Sequence, residues 1–529
     1  MPLTIRTAAI LGLDGVPVDV EVDVASGLGA FHIVGLPDTA VQEARERVRA
    51  AIRNSGFPFP RDRVTVNLAP ADVKKAGSGY DLPIAVAIIA QSAARDSKLK
   101  AEGEGNGVAL PPMCFSVDVL ANTLFVGELG LNGDVRAVSG VLSMALLARA
   151  RGVRTIVVAE ENVPEAQLVS NLSIVPVKNL RQCIEHFSGI AMISPVASLL
   201  ALPDAPLVGM IGEDFAFIHG QQFVKRALEL AAAGAHNVLM HGPPGAGKTL
   251  LARAFVRLLP PLSFPEALEV TQIHSVAGVL PPNASVVRVR PFRSPHHSAS
   301  AVALVGGGTD PRPGEITLAH RGVLFLDELP EFPRSALESL RQPLEDGVVT
   351  VARVRESVEF PARFTLLAAQ NPCPCGYWGD GVQPCVCSSS QVLKYHKRVS
   401  GPVLDRFDLH VRVPRLSTAE ITGDGQAESS VVVRERVARA RALQARRYEG
   451  LSKWTNSELS SHEAKQYCSA TPEALQILRN AVDRFKLSAR GYYRTLKVAR
   501  TIADLAGADL LIGAHVSEAL QYRYRPPIG

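Results

Sequence analysis

Hydrophobic and polar positions along the chain predict several domains that mix strands and helices. Apolar and acidic side chains alternate over residues 18–24, the period of a strand with one buried face. Short apolar runs at residues 323–326 and 364–369 are typical of parallel strands buried on both faces. An apolar stripe at helical spacing marks residues 488–505. We therefore expect an α/β multidomain protein with helices near its carboxyl end.

The first domain is expected to span residues 1–190. Helical spacing and alternation predict its elements: helices over residues 39–53, 81–90 and 140–151, strands over residues 63–68 and 155–159, and a hairpin turning at Asn132–Gly133. Residues 93–112 are charged, contain Gly and Pro, and are expected to form an exposed insertion.

Three further segments follow the first domain. Residues 191–210 are punctuated by proline without sustained periodicity, as in a linker. Residues 211–420 contain the apolar strands and most of the candidate chemistry. Residues 421–529 are predicted to form a helical carboxy-terminal domain, with helices over residues 434–447 and 472–485 before the one at 488–505.

Composition restricts the class of protein without identifying it. The 529 residues are 47% hydrophobic and 20% charged, as in ordinary soluble proteins. The net charge of +5 permits a nucleic-acid partner but does not require one. The first residues show no basic segment followed by an apolar stretch, so we expect no signal peptide, and no apolar run reaches the ~18 residues of a membrane span. We expect a cytoplasmic protein with no membrane partner.

The segment 242–249 matches the phosphate-binding pattern G-x-x-x-x-G-K-[ST]. It lies between a short apolar strand and a helix, so backbone N–H groups and the positive helix end face one cavity. Lys248 would reach the β and γ phosphates of ATP, and the Thr249 hydroxyl would ligate Mg²⁺. The predicted nucleotide-binding residues here are Gly242, Pro243, Pro244, Gly245, Ala246, Gly247, Lys248 and Thr249.

Polar residues follow both apolar strands of the core. Asp327 would hold the Mg²⁺ hydration shell, and Glu328 would polarise the attacking water. Asn371, after the strand that begins at residue 364, would orient that water beside the γ-phosphate. These assignments predict ATP hydrolysis at one edge of a parallel sheet.

Four of the seven cysteines lie within fifteen residues, at Cys373, Cys375, Cys385 and Cys387. Four thiolates on one short loop can enclose tetrahedral Zn²⁺, although common zinc knuckles use C-x₂-C rather than C-x-C. Zinc and four reduced thiols both remain open. A bound metal would brace the loop after Asn371.

Other polar clusters have two interpretations each. The adjacent His296 and His297 are expected to make structural or loop contacts rather than to bind metal. Arg353 and Arg355, near the tip of a predicted hairpin, either contact a phosphate backbone or form a solvated tip. The helix over residues 434–447, with six arginines and one acid, either touches nucleic acid or presents a solvated face.

With the phosphate loop, the acidic pair and Asn371 in this order, the core resembles AAA+ ATPases, and more narrowly their magnesium-chelatase and MCM-helicase branch. The resemblance implies an insert after the second helix, within residues 273–314. It also implies that Arg406 is a finger completing the neighbouring subunit's site, although such an arginine is more often a surface ion pair. Ser488-Ala-Arg490 resembles the sensor-2 motif, so Arg490 would touch the γ-phosphate, with Arg494 as the alternative.

Residues 10–185 resemble the proteolytic domain of the Lon family. In that family a lysine activates a serine nucleophile, but Met144 stands in the lysine's place, and the serine's place falls in residues 79–82. Ser78 with Lys74 or Lys75 is the remaining alternative. We expect a proteolytically inactive domain that serves as a scaffold or a nucleic-acid-facing surface.

Nearly the whole chain resembles the ComM/YifB family of magnesium-chelatase-like competence proteins, through residues 291–297 and 371–376 in particular. The resemblance implies a Lon-protease-like α/β domain, an AAA+ P-loop core with a parallel sheet, and a carboxy-terminal α-helical lid. It also implies ATP-driven DNA branch migration by a hexameric ring in natural transformation and recombination. The alternatives are a chelatase-type motor that remodels a protein partner, and a peptidase-like machine.

Overall fold

The structure is a computed structural model that describes residues 3–36, 38–101, 113, 115–199, 212–280, 286–308, 311–352, 357–417, 420, 427–451 and 453–523. Its strands are β1 Leu3–Leu11, β2 Asp14–Ala25, β3 Phe31–Val34, β4 Arg63–Ala69, β5 Thr123–Phe125, β6 Glu128–Leu129, β7 Val135–Arg136, β8 Thr155–Ala159, β9 Ser173–Val177, β10 Val238–His241, β11 Phe292–Arg293, β12 Gly306–Gly307, β13 Arg312–Pro313, β14 Val323–Leu326, β15 Val348–Ala352, β16 Ser357–Pro361, β17 Thr365–Gln370 and β18 Leu409–Arg412.

Its α-helices are α1 Thr39–Asn54, α2 Asp81–Ala101, α3 Val117–Ala121, α4 Val141–Ala150, α5 Val163–Ala166, α6 Leu180–Phe187, α7 Gln222–Gly234, α8 Lys248–Phe255, α9 Phe264–Val276, α10 Ala301–Val305, α11 Glu315–Leu318, α12 Arg334–Ser339, α13 Arg341–Asp346, α14 Ser389–His396, α15 Gly401–Leu404, α16 Ser430–Arg447, α17 Ser461–Tyr467, α18 Pro472–Phe485, α19 Ala489–Leu505 and α20 Gly513–Gln521. None of these helices is long and apolar enough to cross a membrane.

The chain divides into two compact units, Met1–Asp204 with Phe264–Val287, and Ala205–Ser263 with Arg288–Gly529. The first unit contains a seven-stranded sheet in the order β3-β4-β2-β1-β5-β8-β9. Strands β1, β2 and β4 pair antiparallel, whereas β1-β5, β5-β8 and β8-β9 pair parallel. Helix α2 is almost entirely buried over residues 81–90 and packs against β1 and β2. This confirms a mixed α/β domain.

Helix α9 belongs to the first unit, although it follows the phosphate loop in sequence. Its Ser275 hydroxyl accepts a hydrogen bond from the Gly140 N–H at 2.8 Å and also contacts buried Glu165. Gln272 donates to the Leu13 carbonyl at 2.8 Å. The expected core of residues 211–420 therefore includes a helix that belongs to the first compact unit. The hydrogen-bond partners of this helix lie more than 100 residues away in sequence.

The second unit is built on a five-stranded sheet in the order β11-β14-β17-β10-β18, with every pair parallel. Strand β17 is buried at all six positions, and β14 at all four. Because parallel strands end at the same edge, the residues that follow β10, β14 and β17 lie along one edge of the sheet. The predicted phosphate loop, the acidic pair and Asn371 follow these three strands.

Helices α16 to α20 share a continuous apolar core with this sheet. Val437 and Ala440 of α16 and Val498 and Ile502 of α19 belong to the same buried cluster as β10 and β18. The helical carboxy-terminal segment therefore folds with the parallel sheet in one compact unit.

One expectation about an exposed segment was wrong at the start of that segment. Residues 93–101 continue helix α2, and within them the Arg95 guanidinium lies 2.7 Å from Asp62 and also donates to the Val24 carbonyl; residues 102–112 lie outside the described chain. Tyr522, near the carboxyl end of the described chain, is only 1% exposed and stacks on Phe223.

Candidate nucleotide-binding site

The phosphate loop has the backbone geometry that its sequence predicts. It joins β10 to α8, and both Gly245 and Gly247 take positive φ values, +76° and +87°. Among the described residues, no atom lies within 4 Å of the position where either glycine would carry a Cβ. The loop therefore leaves an open cradle at the amino end of α8, which fits a polyphosphate.

Lys248 is held across the loop with its ammonium group at the sheet edge. Its Nζ donates to the Gly242 and Pro243 carbonyls at 2.6 and 2.8 Å and to Asn371 Oδ1 at 3.1 Å. Burial lowers the pKa of Lys248 to about 8, while the nearby carboxylates of Asp327 and Glu328 act in the opposite direction. The structure thus brings together the predicted lysine and the predicted asparagine.

Thr249 and Asp327 form a pair suited to a hard cation. The Thr249 hydroxyl donates to Asp327 Oδ2 at 2.7 Å. A hydroxyl and a carboxylate oxygen beside a phosphate cradle are the donor types that Mg²⁺ prefers. These two residues would hold Mg²⁺ when nucleotide binds.

Glu328 departs from ordinary backbone geometry. Its φ of +53° lies in the left-handed region, which costs a residue other than glycine about 1–2 kcal/mol. Its N–H donates to Asp327 Oδ1 at 3.0 Å, and its side chain stays half exposed. Strain of this kind concentrates at functional sites, so the conformation favours the role predicted for Glu328.

His297 is a site residue that sequence reasoning missed. Its Nδ1 lies 3.3 Å from Glu328 Oε2, and its ring lies 4.0 Å from that of His296. The only signal in the sequence was the Pro-His-His run of residues 295–297, which does not indicate the partner. His297 is therefore placed to orient the predicted catalytic carboxylate.

Arg406 and Arg490 meet at one carboxylate. The Nη2 atoms of both arginines lie within hydrogen-bond distance of Glu345 Oε1, at 2.9 and 2.8 Å. Arg406 also donates to the Arg341 and Pro402 carbonyls and is only 4% exposed, whereas the Arg490 side chain is 62% exposed. Arg406 lies just after the short helix α15 rather than on it. Within the described part of one chain, both guanidinium groups bind Glu345 and not the phosphate loop.

Arg494, the alternative to Arg490, is bound elsewhere. It donates to Asp408 Oδ1 at 2.8 Å, and this ion pair with Arg494 lowers the pKa of the buried Asp408 carboxyl despite its desolvation. Lys497, on the same helix α19, donates to the Ser457 carbonyl. Arg494 and Lys497 therefore stabilise the fold, and of the basic residues Arg490, Arg494 and Lys497 only Arg490 has an exposed side chain.

The basic helix α16 also uses several arginines internally. Arg436 bridges Glu229 and Glu428, and Arg447 binds the fully buried carboxylate of Asp504. Arg439 and Arg446 remain exposed. Arg353 and Arg355, for which a phosphate-backbone contact and a solvated tip were both open, lie outside the described residues, although the hairpin that carries them is confirmed by the β15-β16 pairing.

The four clustered cysteines converge. The Sγ atom of Cys373 lies 3.3 Å from that of Cys375 and 3.6 Å from that of Cys385, and all four sulfurs lie within 4.8 Å of one another. Cys373 is buried, and the other three are partly exposed. The spacing is that of a tetrathiolate metal site.

Two residues of the alternative peptidase dyad, Ser78 and Lys75, are hydrogen-bonded to other groups. Ser78 donates to the Glu128 carboxylate, and the buried ammonium of Lys75 donates to the Pro70 carbonyl. Met144, in the place of the family's lysine, is buried. Lys75 is therefore engaged away from Ser78, and the methionine at position 144 cannot act as a base.

Comparison with known proteins places this geometry in a class. Family models match in three parts: "Magnesium chelatase, subunit ChlI" over residues 214–421, "Subunit ChlI of Mg-chelatase" over residues 20–105 and 106–162, and "Magnesium chelatase, subunit ChlI C-terminal" over residues 427–523. The parallel sheet and its phosphate loop thus define an ATPase of the magnesium-chelatase-like AAA+ class.

Whole-length relatives define the family more narrowly. The protein YifB of Salmonella typhimurium is 42% identical over 525 residues, covering 98% of this chain and 96% of the relative. Competence protein ComM of Haemophilus influenzae is 41% identical over 522 residues, covering 98% and 97%. The chain belongs to the ComM/YifB family of magnesium-chelatase-like proteins. The magnesium-chelatase 38 kDa subunit of Rhodobacter capsulatus is 29% identical over 179 residues, 30% of this chain and 50% of that subunit.

Proposed function

We propose that the protein is an ATP-driven DNA translocase that forms a hexameric ring and promotes branch migration during natural transformation and recombination. The observation that carries this proposal is the convergence of Lys248, Thr249, Asp327 and Asn371 at one sheet edge. Whole-length similarity to a protein named competence protein ComM supports DNA as the polymer acted upon.

Each residue of the site has a defined task in this proposal. Lys248 binds the β and γ phosphates, and Thr249 and Asp327 hold Mg²⁺, which supplies charge neutralisation when bound. Glu328 accepts a proton from the attacking water, in the orientation that His297 maintains. Asn371 positions that water while it accepts a hydrogen bond from Lys248.

The two arginines on Glu345 support completion of the site by a second copy. Arg406 and Arg490 converge on one carboxylate of their own chain. We assign both to the γ-phosphate of a neighbouring subunit, because a phosphate there supplies the negative charge that one glutamate cannot supply to two cations. The helical segment that carries Arg490 would then close the neighbour's site as a lid.

Steady-state ATP hydrolysis with single-stranded, duplex and four-way DNA tests the proposal. DNA should stimulate turnover, and Lys248→Ala should lower kcat at least about 100-fold, since a preorganised charge on the developing oxyanion contributes that much. Arg253→Ala is the matched control, because this residue is exposed on the same helix α8. Turnover that ignores every DNA would remove the DNA function and leave only the ATPase.

Mixed rings test the shared site. Arg490→Ala subunits and Glu328→Gln subunits are each expected to be inactive alone and to regain hydrolysis when combined, because some interfaces then pair an intact arginine with an intact glutamate. Arg490 is better suited than buried Arg406, since its exposed side chain leaves no cavity when removed. Mixed rings, verified by mass, that stay inactive would assign Arg490 to its own subunit's site or to structure.

A chelatase-type motor that remodels a protein partner is the second candidate. The partial similarity to a magnesium-chelatase 38 kDa subunit favours it. In that case a protein ligand, and not DNA, would raise the rate of ATP hydrolysis in the same assay. The Lon-like resemblance of the first unit is proposed to reflect a scaffold, because Ser78 lacks a lysine base at residue 75 or 144.

A further inference from the structure

We infer that Cys373, Cys375, Cys385 and Cys387 bind one Zn²⁺ ion, and that this metal site sets the shape of the phosphate loop. The metal site is independent of the proposed DNA activity. Its link to the loop rests on the ATP site proposed above.

The sulfur positions fit a single tetrahedral ion. Zn–S bonds of about 2.3 Å place neighbouring sulfurs about 3.8 Å apart in a tetrahedron. The shortest Sγ–Sγ distances are 3.3, 3.5 and 3.6 Å, and the four atoms span no more than 4.8 Å. A polynuclear iron–sulfur cluster needs wider spacing, because its cysteines bind separate iron ions.

The loop also supplies hydrogen bonds to thiolate sulfur. The Trp378 N–H donates to Cys373 Sγ, and the Cys387 N–H donates to Cys385 Sγ, both at 3.4 Å. Four thiolates around Zn²⁺ carry a net charge of two minus, and backbone N–H donors offset such charge and orient the ligands. The four thiols lose their protons to solvent as the metal binds.

Two contacts join this cluster to the ATP site. Asn371, two residues before Cys373, accepts the hydrogen bond from Lys248. Gly376, between the two C-x-C pairs, packs directly on Pro244 of the phosphate loop, because a Cβ there would lie 2.5 Å from Pro244 Cγ. The cysteine loop therefore packs on Pro244 near the start of the phosphate loop, and Asn371, just before the cysteines, binds Lys248 near its end.

A third contact braces the cysteine loop against the sheet. Arg412 donates to the Gly379 carbonyl at 2.9 Å, and this arginine ends β18, which pairs with β10, the strand that leads into the phosphate loop. A metal that fixes the four sulfurs thus fixes a segment bound to the strand, the loop and the lysine of the nucleotide site.

Metal content tests the first half of the inference. Full-length protein purified with zinc in the medium should hold about one Zn²⁺ per chain by mass spectrometry, and Cys385→Ser should lose most of it. Cys183→Ala, which removes a buried thiol outside the cluster, should retain it. Metal-stripped wild-type protein should bind Co²⁺ with the visible absorption of a tetrahedral thiolate site. Folded wild-type protein that holds neither metal would overturn the zinc site.

A pair of glycine variants tests the link to the phosphate loop. Gly376 and Gly381 lie in the same loop at positive φ, +87° and +77°, but no atom lies within 4 Å of the Cβ position of Gly381. Both alanine variants therefore carry the same backbone strain, and Gly376→Ala alone displaces Pro244. We expect Gly376→Ala to bind a fluorescent ADP analogue about tenfold more weakly, which corresponds to the conformational free energy of ordering about one residue. Gly381→Ala should bind the analogue within about twofold of wild type.

Metal removal should act like Gly376→Ala. Chelator-stripped, reduced wild-type protein should lose about tenfold in ADP affinity and regain it with Zn²⁺. Equal affinity of the two alanine variants, or of stripped and loaded protein, would overturn the link while leaving the metal site. Because these assays contain no DNA, loss of DNA stimulation would refute the proposed function without affecting either result.

Discussion

Nucleotide binding should weaken as the pH rises through about 8, because Lys248 then loses its proton before the nucleotide binds. Burial lowers the pKa of Lys248 from its ordinary value of 10.5 to about 8, although Asp327 and Glu328 oppose the shift. A triphosphate in the loop places negative charge beside the ammonium group and raises this pKa again. Binding above neutral pH therefore takes up a proton.

The size of the effect follows from these two pKa values. With a pKa of about 8 in the free protein, and with bound phosphate restoring the ordinary value of 10.5, the association constant falls about tenfold between about pH 7 and pH 9. This fall corresponds to about 1.4 kcal/mol. At about pH 8, where half of the free protein carries the proton, binding takes up about half a proton per site.

The same shift affects the stability of the nucleotide-free protein with a definite sign. The folded pKa lies below the unfolded one, so the unfolded chain binds more protons between about pH 8 and 10.5. Over that window the contribution of Lys248 to the free energy of unfolding increases with pH. Nucleotide affinity and this stability contribution therefore change in opposite directions.

Isothermal titration calorimetry with a non-hydrolysable ATP analogue and Mg²⁺ measures the linkage. Titrations at about pH 8 in two buffers of different ionisation enthalpy should give heats that differ in proportion to the proton taken up. Lys248→Arg is the matched variant, because its guanidinium stays protonated across this range and should bind without pH dependence. Equal heats in both buffers, with equal affinities at about pH 7 and 9, would refute the proton linkage through a lowered pKa of Lys248 in the free protein.

Three further variants follow from single contacts. Asp504→Asn should lower the free energy of unfolding of its unit, measured in urea, by about 3–5 kcal/mol, because Arg447 and Arg500 then lose their buried counterion. The control Asp483→Asn, on the exposed surface of a helix, should change this free energy by less than about 0.5 kcal/mol. His297→Ala should reduce kcat and leave nucleotide affinity unchanged, and His296→Ala, whose ring nitrogen binds a neighbouring serine, should match wild type in stopped-flow hydrolysis. Ser488→Ala should cost α19 about 1 kcal/mol, seen as faster hydrogen exchange in its first turn.

The elements that could be predicted from sequence are those whose pattern is local. The phosphate loop lies between a strand and a helix as expected, and Ser488 caps α19 by accepting from the Gly491 N–H. Helix 39–53 and strand 155–159 also match the structure within one residue, because a continuous periodicity specifies each of them. The approach of Asn371 to Lys248 was predictable too, since parallel strands end at one edge.

Contacts between distant segments could not be predicted in this way. Nothing in the sequence of α9 indicates that its Ser275 meets Gly140 rather than its neighbours in the ATPase core. Helix α2 continues into a charged stretch in which Arg95 pairs with Asp62, more than 30 residues away in sequence. Arginine side chains bury their stems and place their charge at a distant partner. The charged composition of residues 93–101 therefore did not indicate that they continue helix α2.

Glu345 is the shared partner of two arginines within one chain. Its carboxylate supplies one negative charge, and the guanidinium groups of Arg406 and Arg490 bring two positive charges to the same oxygen. Burial lowers the pKa of Arg406, Glu345 raises it again, and the positive charge of Arg490 lowers it further. The Arg490 guanidinium is mostly exposed to solvent, which screens part of the repulsion between the two cations. In the proposed assembly, a triphosphate of a neighbouring subunit would be a second anion beside them and would favour assembly with nucleotide.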